Sequence, residues 1–178
     1  MSRHSLTTLR RDTRGGAAVE FAFLAPLMIL IYFGMVEFCQ GYMALKRTGH
    51  AAAMVADLVS QTDATTPAQI ADVFAIGDLI MRPFPTATLK QRVSSVTRVS
   101  KTTYKVDWSQ TKGMTEKLLA SKADIPGDML ANGESVIIAE TFYDYRSAFT
   151  QATPGIFHFK RTAYLRPRTV EVIPCTGC

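Results

Sequence analysis

An almost uncharged stretch near the N-terminus constrains this chain more than any other feature. Residues 17–45 contain only two charged side chains, Glu20 and Glu37. The 16 uncharged residues from Phe21 to Val36 alone would form roughly 24 Å of helix. The whole stretch can cross the ~30 Å hydrocarbon core of a bilayer with some tilt. The sequence therefore predicts a transmembrane helix over residues 16–45.

Positive charge is concentrated before this stretch. The first 15 residues contain one acid, Asp12, against four arginines: Arg3, Arg10, Arg11 and Arg14. Arginines that flank a span hold that side in the cytoplasm, so we expect residues 1–15 to be cytoplasmic and residues 46–178 to be periplasmic. From Gly16 onward, 16 basic residues stand against 14 acidic ones. The net charge of +5 therefore belongs largely to the tail, and we expect no nucleic-acid partner.

Small residues precede the apolar stretch instead of following it. A secretory signal peptide has a short apolar region followed by a small-residue cleavage site. Here the sequence Gly-Gly-Ala-Ala at 15–18 comes first, and no such site follows. A cut at Gly15–Gly16 would remove the basic leader and leave the helix attached to its domain.

This arrangement carries a family resemblance. The sequence GGAAVEF resembles the processing site of type IV pilins, with Glu20 as the fifth residue after the cut and the aromatic Phe21 next. Over residues 14–38 the chain is similar to the TadE family of pilin-like proteins, including Pro26 and the closing FGMVEF at 33–38. The sequence TAYLRPR at 162–168 also resembles the closing segment of that family.

The resemblance implies a role in assembling a Tad/Flp type IVb pilus used in surface adhesion. A prepilin peptidase would cut between Gly15 and Gly16, leaving a minor pilin (pseudopilin) anchored in the inner membrane or carried into an extracellular pilus. Glu20 would pair with the new Gly16 amine of a neighbouring subunit. Implied partners are the major Flp pilin, a TadF-like pseudopilin, the inner-membrane assembly platform and the lipid bilayer.

Pro26, Glu37 and the segment as a whole each allow two interpretations. Pro26 should kink the helix, either as a hinge or as a tolerated membrane proline. Glu37 would lie at the outer headgroups, alone or as a second contact between subunits. The whole segment could also be an uncleaved signal anchor for a periplasmic binding or envelope-interaction domain, with Glu20 at the cytoplasmic headgroups.

Helical patterns continue beyond the span. Residues 42–61 favour helix and place five residues on one stripe: Ala44, Ala51, Val55, Leu58 and Thr62. Thr66, Pro67 and Gln69 form a capping box, which predicts a second helix over residues 67–81. Its apolar face would include Ile70, Phe74, Ile76 or Gly77, and Ile80 or Met81.

Strand patterns dominate the rest of the chain. We predict strands over residues 89–99, 102–109, 134–145 and 156–165, with a short one at 169–173 and a short helix at 114–121. Alternation places Tyr104, Val106 and Trp108 on one face. Short connections favour an antiparallel sheet. The predicted fold class is α+β: a long N-terminal helix that continues into a periplasmic domain with a mainly antiparallel sheet.

Motifs that carry chemistry are missing from the sequence. There is no phosphate loop, HExxH or GxSxG. The acids Asp124, Asp128 and Glu134 do not have EF-hand spacing. Cys175 and Cys178 have CxxC spacing but close the chain, which favours a structural disulfide over redox catalysis. We therefore expect no enzyme activity, cofactor or metal.

Overall fold

The computed structural model describes residues 15–123, 125–126, 129–147 and 155–178. The chain divides between Gln40 and Gly41 into an N-terminal unit and a C-terminal unit. The helices are α1 (Gly16–Ser60), α2 (Pro67–Met81) and a 3-10 turn (Ala120–Lys122), and the strands are β1 (Lys90–Arg98), β2 (Tyr104–Lys112), β3 (Ser135–Arg146) and β4 (Ile156–Leu165). The predicted α+β class is confirmed.

Helix α1 is 45 residues long and belongs to both units. Its part in the C-terminal unit buries a stripe at helical spacing: Ala44, Thr48, Ala51, Ala52, Val55, Ala56 and Val59. The predicted stripe was wrong at Thr62. Leu58, also on the predicted stripe, is half-buried, and Val59 is buried. Thr62 lies beyond the helix, where its hydroxyl donates to the Val59 carbonyl at 2.8 Å and caps the last turn.

Helix α2 matches its prediction. The Thr66 side chain accepts a hydrogen bond from the Gln69 backbone N–H at 3.3 Å, and Pro67 occupies the first turn. The buried face consists of Ile70, Phe74, Gly77 and Met81. Ile76 and Ile80 therefore lie outside it, which resolves both alternatives that the sequence left open.

The four strands form one antiparallel sheet in the order β2-β1-β3-β4. The β1–β2 hairpin turns at Ser100, whose N–H and carbonyl both bond to Thr103. One face of the sheet packs against α1 and α2 through a core that includes Val55, Phe74, Val93 and Ile137. The other face is covered by the segment that follows β2.

A β-bulge overturns the predicted alternation in β2. Ser95 pairs with Trp108 and Val96 pairs with Val106, so the residue between them has no partner on β1. The extra residue reverses the side-chain phase. Val106 therefore faces the outer cluster with Tyr104, whereas Trp108 turns into the helix-side core. The Trp108 Nε1–H donates to the Ile173 carbonyl at 2.7 Å.

Two predicted elements, the helix at 114–121 and the strand at 169–173, are wrong. In both segments, backbone groups form hydrogen bonds with side chains elsewhere in the chain. Residues 114–119 form no helix, and the Leu118 N–H donates to the Ser109 hydroxyl at 3.0 Å instead of to a helical carbonyl. Residues 169–173 form no strand, since their Glu171 and Ile173 carbonyls accept from the side chains of Ser135 and Trp108.

Candidate functional site: the N-terminal helix and its supports

The predicted processing site lies at the beginning of α1. Gly16 is the first residue of the helix, and Gly15 precedes it. Both glycines are exposed, and a Cβ built on either would meet nothing within 4 Å. The bond between them is therefore at the margin of regular structure. Residues 1–14 of the predicted leader (residues 1–15), including Arg14, lie outside the described residues.

The first 28 residues of α1 expose a nearly continuous apolar surface. Large apolar side chains with 40–78% of their surface exposed are Val19, Phe21, Phe23, Leu24, Leu27, Met28, Ile29, Leu30, Ile31, Tyr32, Phe33, Met35, Phe38, Tyr42 and Met43. A helix that is apolar all round needs lipid or other helices around it. Helix α1 is long and apolar enough to cross a membrane.

Glu20 is exposed one helical turn after the predicted new terminus. Four residues separate it from Gly16, which corresponds to about 6 Å along the axis. Phe21, next in sequence, is 70% exposed. The carboxylate and the aromatic ring are therefore both directed away from the chain that carries them.

Pro26 lies inside α1, and the helix is continuous across it. Proline has no N–H to donate, so one backbone carbonyl in the preceding turn loses its helical partner. Glu37 differs from its neighbours because only 9% of its surface is exposed. Cys39 is a free, exposed cysteine.

The C-terminal segment that resembles the family's closing sequence supports α1. Residues 162–165 belong to β4, and the chain then crosses to the end of the helix. The Arg168 N–H donates to the Ser60 carbonyl at 3.0 Å, and its guanidinium pairs with Asp57. This segment therefore satisfies a terminal carbonyl of α1 and places a cation at the negative end of its dipole.

The chain terminus is attached to the loop between the helices. Thr65 forms a parallel bridge with Cys175, through bonds from the Thr65 N–H to the Pro174 carbonyl at 2.9 Å and from the Thr176 N–H to the Thr65 carbonyl at 3.0 Å. A disulfide joins Cys175 to Cys178, with 5.6 Å between their Cα atoms. The CxxC pair is thus part of the packing around the start of α2.

A buried ion pair on the outer face of the sheet was missed by sequence reasoning. Arg92 Nε donates to Glu140 Oε2 at 2.7 Å, and Lys160 Nζ lies 3.0 Å from Glu140 Oε1. Both cations lie within 6 Å of the Phe142 ring centroid, at 5.8 and 5.5 Å. No local signal reveals this cluster, because its members lie on three strands that only the sheet register brings together.

Other titratable groups form no catalytic arrangement among the described residues. His158 Nδ1 lies 2.6 Å from Asp144 Oδ1 on the exposed surface, and His50 is exposed on α1. Burial raises the pKa of the Tyr143 hydroxyl. The described ranges contain no group of three metal-binding side chains; Asp124 and Asp128 lie outside them.

Taken together, these features define a class: an α+β protein with one long N-terminal helix that suits a single-pass membrane anchor. Comparison with family models identifies the segment more closely. The family described as TadE-like protein matches residues 15–57, which begin at the predicted processing site and end one turn before the end of α1. The resemblance drawn from the sequence is therefore confirmed for this segment, which is similar to the TadE-like family.

The match has a clear extent. It covers the apolar surface and the first part of the buried stripe of α1, whereas the segment at 162–168 lies outside it. Neither the curated proteins nor the solved structures gave a match to this chain. The family indicates a pilin-like protein associated with a Tad pilus, with pilin-type partners.

Proposed function

We propose that the protein is a minor pilin (pseudopilin) that takes part in assembling a Tad/Flp type IVb pilus used in surface adhesion. A prepilin peptidase cuts after Gly15, and the mature protein waits in the inner membrane with its C-terminal unit in the periplasm. It then associates with the major Flp pilin, a TadF-like pseudopilin and the assembly platform. The protein has no catalytic activity of its own and serves as a substrate for processing.

The observation that carries this proposal is the bare apolar surface of α1 between Val19 and Tyr42. Lipid covers such a surface before assembly, and other pilin-like helices can cover it afterwards. Both environments exclude water, so the same side chains suit both states. A TadE-like family match over residues 15–57 supports pilin-like helices as the second environment.

Glu20 has a defined task in this proposal. Cleavage gives Gly16 an α-amino group, which is positively charged at neutral pH. At 4 Å and an effective dielectric constant near 20, opposite unit charges attract by about 4 kcal/mol. Since Glu20 lies about 6 Å along the axis from Gly16, a parallel neighbour must be displaced by about that distance for the two groups to meet. The pair therefore sets the axial register between subunits.

Processing is tested by coexpressing the full chain with a prepilin peptidase and determining the N-terminus of the membrane-extracted protein. We expect a chain that begins at Gly16, and an uncut chain for Gly15→Ala. Gly34→Ala is the matched control, because a Cβ there also meets nothing within 4 Å, and it should be cut normally. A chain that keeps its first residues beside an active peptidase would refute the proposal and favour an uncleaved, membrane-anchored binding domain.

The role of Glu20 is tested separately in cells that assemble the pilus. Glu20→Gln removes the charge and keeps the shape, so we expect normal insertion and cleavage but a loss of pili. Glu20→Asp keeps the charge and should restore part of the assembly. Normal pili with Glu20→Gln would exclude the charge pair as the source of register.

A further inference from the structure

We propose that the C-terminal unit rests on the lipid surface through the rim at which α1 enters it. We define this rim as Arg82, Arg146, Ile156 and Phe157. Arg82 follows Met81, which packs with Tyr145, and the other three residues lie at the end of the β3–β4 pair that carries Tyr145. Its apolar side chains would enter the interfacial layer, and its arginines would face anionic headgroups. This contact is additional to the membrane span, and it does not depend on processing or on pilus assembly.

The position of the rim follows from contacts inside the C-terminal unit. Gly41 is the first residue of this unit, and a Cβ built there would lie 3.6 Å from Tyr145 Cε1. The Tyr145 ring centroid lies 6.4 Å from that of Phe157 and 6.2 Å from that of Phe84. The end of β3, the start of β4 and the segment after α2 therefore meet where the helix enters.

Two large apolar side chains of the rim are exposed to solvent. Phe157 is 46% exposed and Ile156 is 43% exposed, although both begin a strand whose partner residues pack well. Across the strand pair, Ile156 stands opposite the exposed Arg146, and Phe157 stands opposite Tyr145. Successive strand residues point to opposite faces, so this end of the sheet carries an exposed apolar side chain on each face, with Arg146 beside Ile156.

The charges of the rim point to anionic lipid. Arg82 follows α2 and is exposed, as is Arg146. Neither arginine has an ion pair within the described part of the chain, whereas the nearby Asp144 is held by His158 at 2.6 Å. Unpaired arginines held close to a bilayer are attracted to anionic headgroups.

Chain continuity decides between lipid and a protein partner. Gly41 lies near the end of the exposed apolar surface of α1, beside Tyr42 and Met43, which are its last large apolar side chains. Chain connectivity therefore keeps Gly41 close to the end of the apolar segment. A protein partner would need a second reason to be present there.

The proposal is tested with the full chain in vesicles of phosphatidylcholine and phosphatidylglycerol that contain brominated phosphatidylcholine. Phe157→Trp introduces a fluorophore at the rim. Val99→Trp is the matched control, because Val99 is also exposed, at 56%. Val99 follows the last residue of β1, at the end of the sheet away from the rim. The native Trp108 is 7% exposed and contributes a constant background.

We expect brominated lipid to quench Phe157→Trp several-fold more than Val99→Trp. Ile156→Trp should give the same result, and it replaces Phe157→Trp if that variant does not fold. Adding Arg82→Glu and Arg146→Glu should reduce the quenching in vesicles that contain phosphatidylglycerol. Rim fluorescence that is quenched no more than the control would overturn the proposal. Blue-shifted tryptophan emission from position 157 that brominated lipid does not quench would also overturn the proposal, because protein and not lipid would then cover the rim.

Discussion

Replacing Gly77 by alanine should lower the free energy of unfolding of the C-terminal unit, although alanine favours a helix. Gly77 lies on the buried face of α2, and a Cβ built there would overlap Gln91 Oε1 and lie 2.9 Å from Gln91 Cδ. Carbon atoms that are not bonded to each other do not approach so closely. The Gln91 amide must therefore move or the helix must shift.

The Gln91 side chain has little freedom to move. It is 1% exposed, and its Nε2 donates to the Phe74 carbonyl and to Asp78 Oδ1, both at 3.0 Å. Displacing the amide leaves buried donors and acceptors without partners, at a cost of about 1–3 kcal/mol. Overpacking adds about 1–3 kcal/mol, and the better helix propensity of alanine returns about 1 kcal/mol.

We therefore expect a net destabilisation of about 1–5 kcal/mol from Gly77→Ala. For a domain of this size each kcal/mol lowers Tm by about 2–5 °C, so the expected shift is about 2–25 °C. Urea unfolding of the full chain in detergent, followed by Trp108 fluorescence, measures the effect. Trp108 is a suitable reporter because it lies in the same core as Phe74.

Gly49→Ala is the matched control for this prediction. Gly49 also lies within a helix, but a Cβ there would lie at an ordinary 3.6 Å from Arg161 Cγ. This variant should be as stable as the wild type or more stable by up to about 1 kcal/mol. If both substitutions change the urea midpoint equally, close packing against Gln91 is not the reason for glycine at position 77.

Two further predictions concern buried polar groups. Glu140→Gln leaves the Arg92 charge buried beside a neutral amide and should lower the free energy of unfolding by about 3 kcal/mol. Lys105→Ala, in an exposed pair with Asp107, should lower it by less than about 1 kcal/mol. Equal urea midpoints for the two variants would contradict this prediction. Since burial raises the pKa of Tyr143, its ionisation leaves stability unchanged below its ordinary value of 10.0, and stability falls as the pH rises above that value. Tyr143→Phe should therefore reduce the fall in the free energy of unfolding between pH 9 and about 12. An equally steep fall in this variant would show that Tyr143 is not its source.

Helices were predictable where their signals are local. The apolar stretch that opens α1 needs no knowledge of partners, because lipid or other helices accept it on every side. The Thr66–Pro67 start of α2 is likewise set by a cap that closes within four residues. Of the site residues, Gly15, Gly16 and Glu20 are visible in sequence because their spacing is a linear motif.

Errors occurred where distant residues compete for the same backbone or side chain. The segment at 114–121 has helical composition, yet the Ser109 hydroxyl takes the Leu118 N–H and the core takes its side chain. In β2, one unpaired residue turns Trp108 to the opposite face. Neither outcome can be derived from a window of neighbouring residues.

The sequence by itself determined the membrane-length helix, the motif at its start, the cap of α2 and the antiparallel α+β class. These depend on short-range backbone preferences and on hydrophobic periodicity, which neighbouring residues encode. Only the tertiary structure decided the bulge, the Arg92–Glu140 pair and the support that Arg168 gives to the end of α1. Each of these joins groups far apart in sequence, and their bonds form only once the sheet register and the helix packing have fixed their distances.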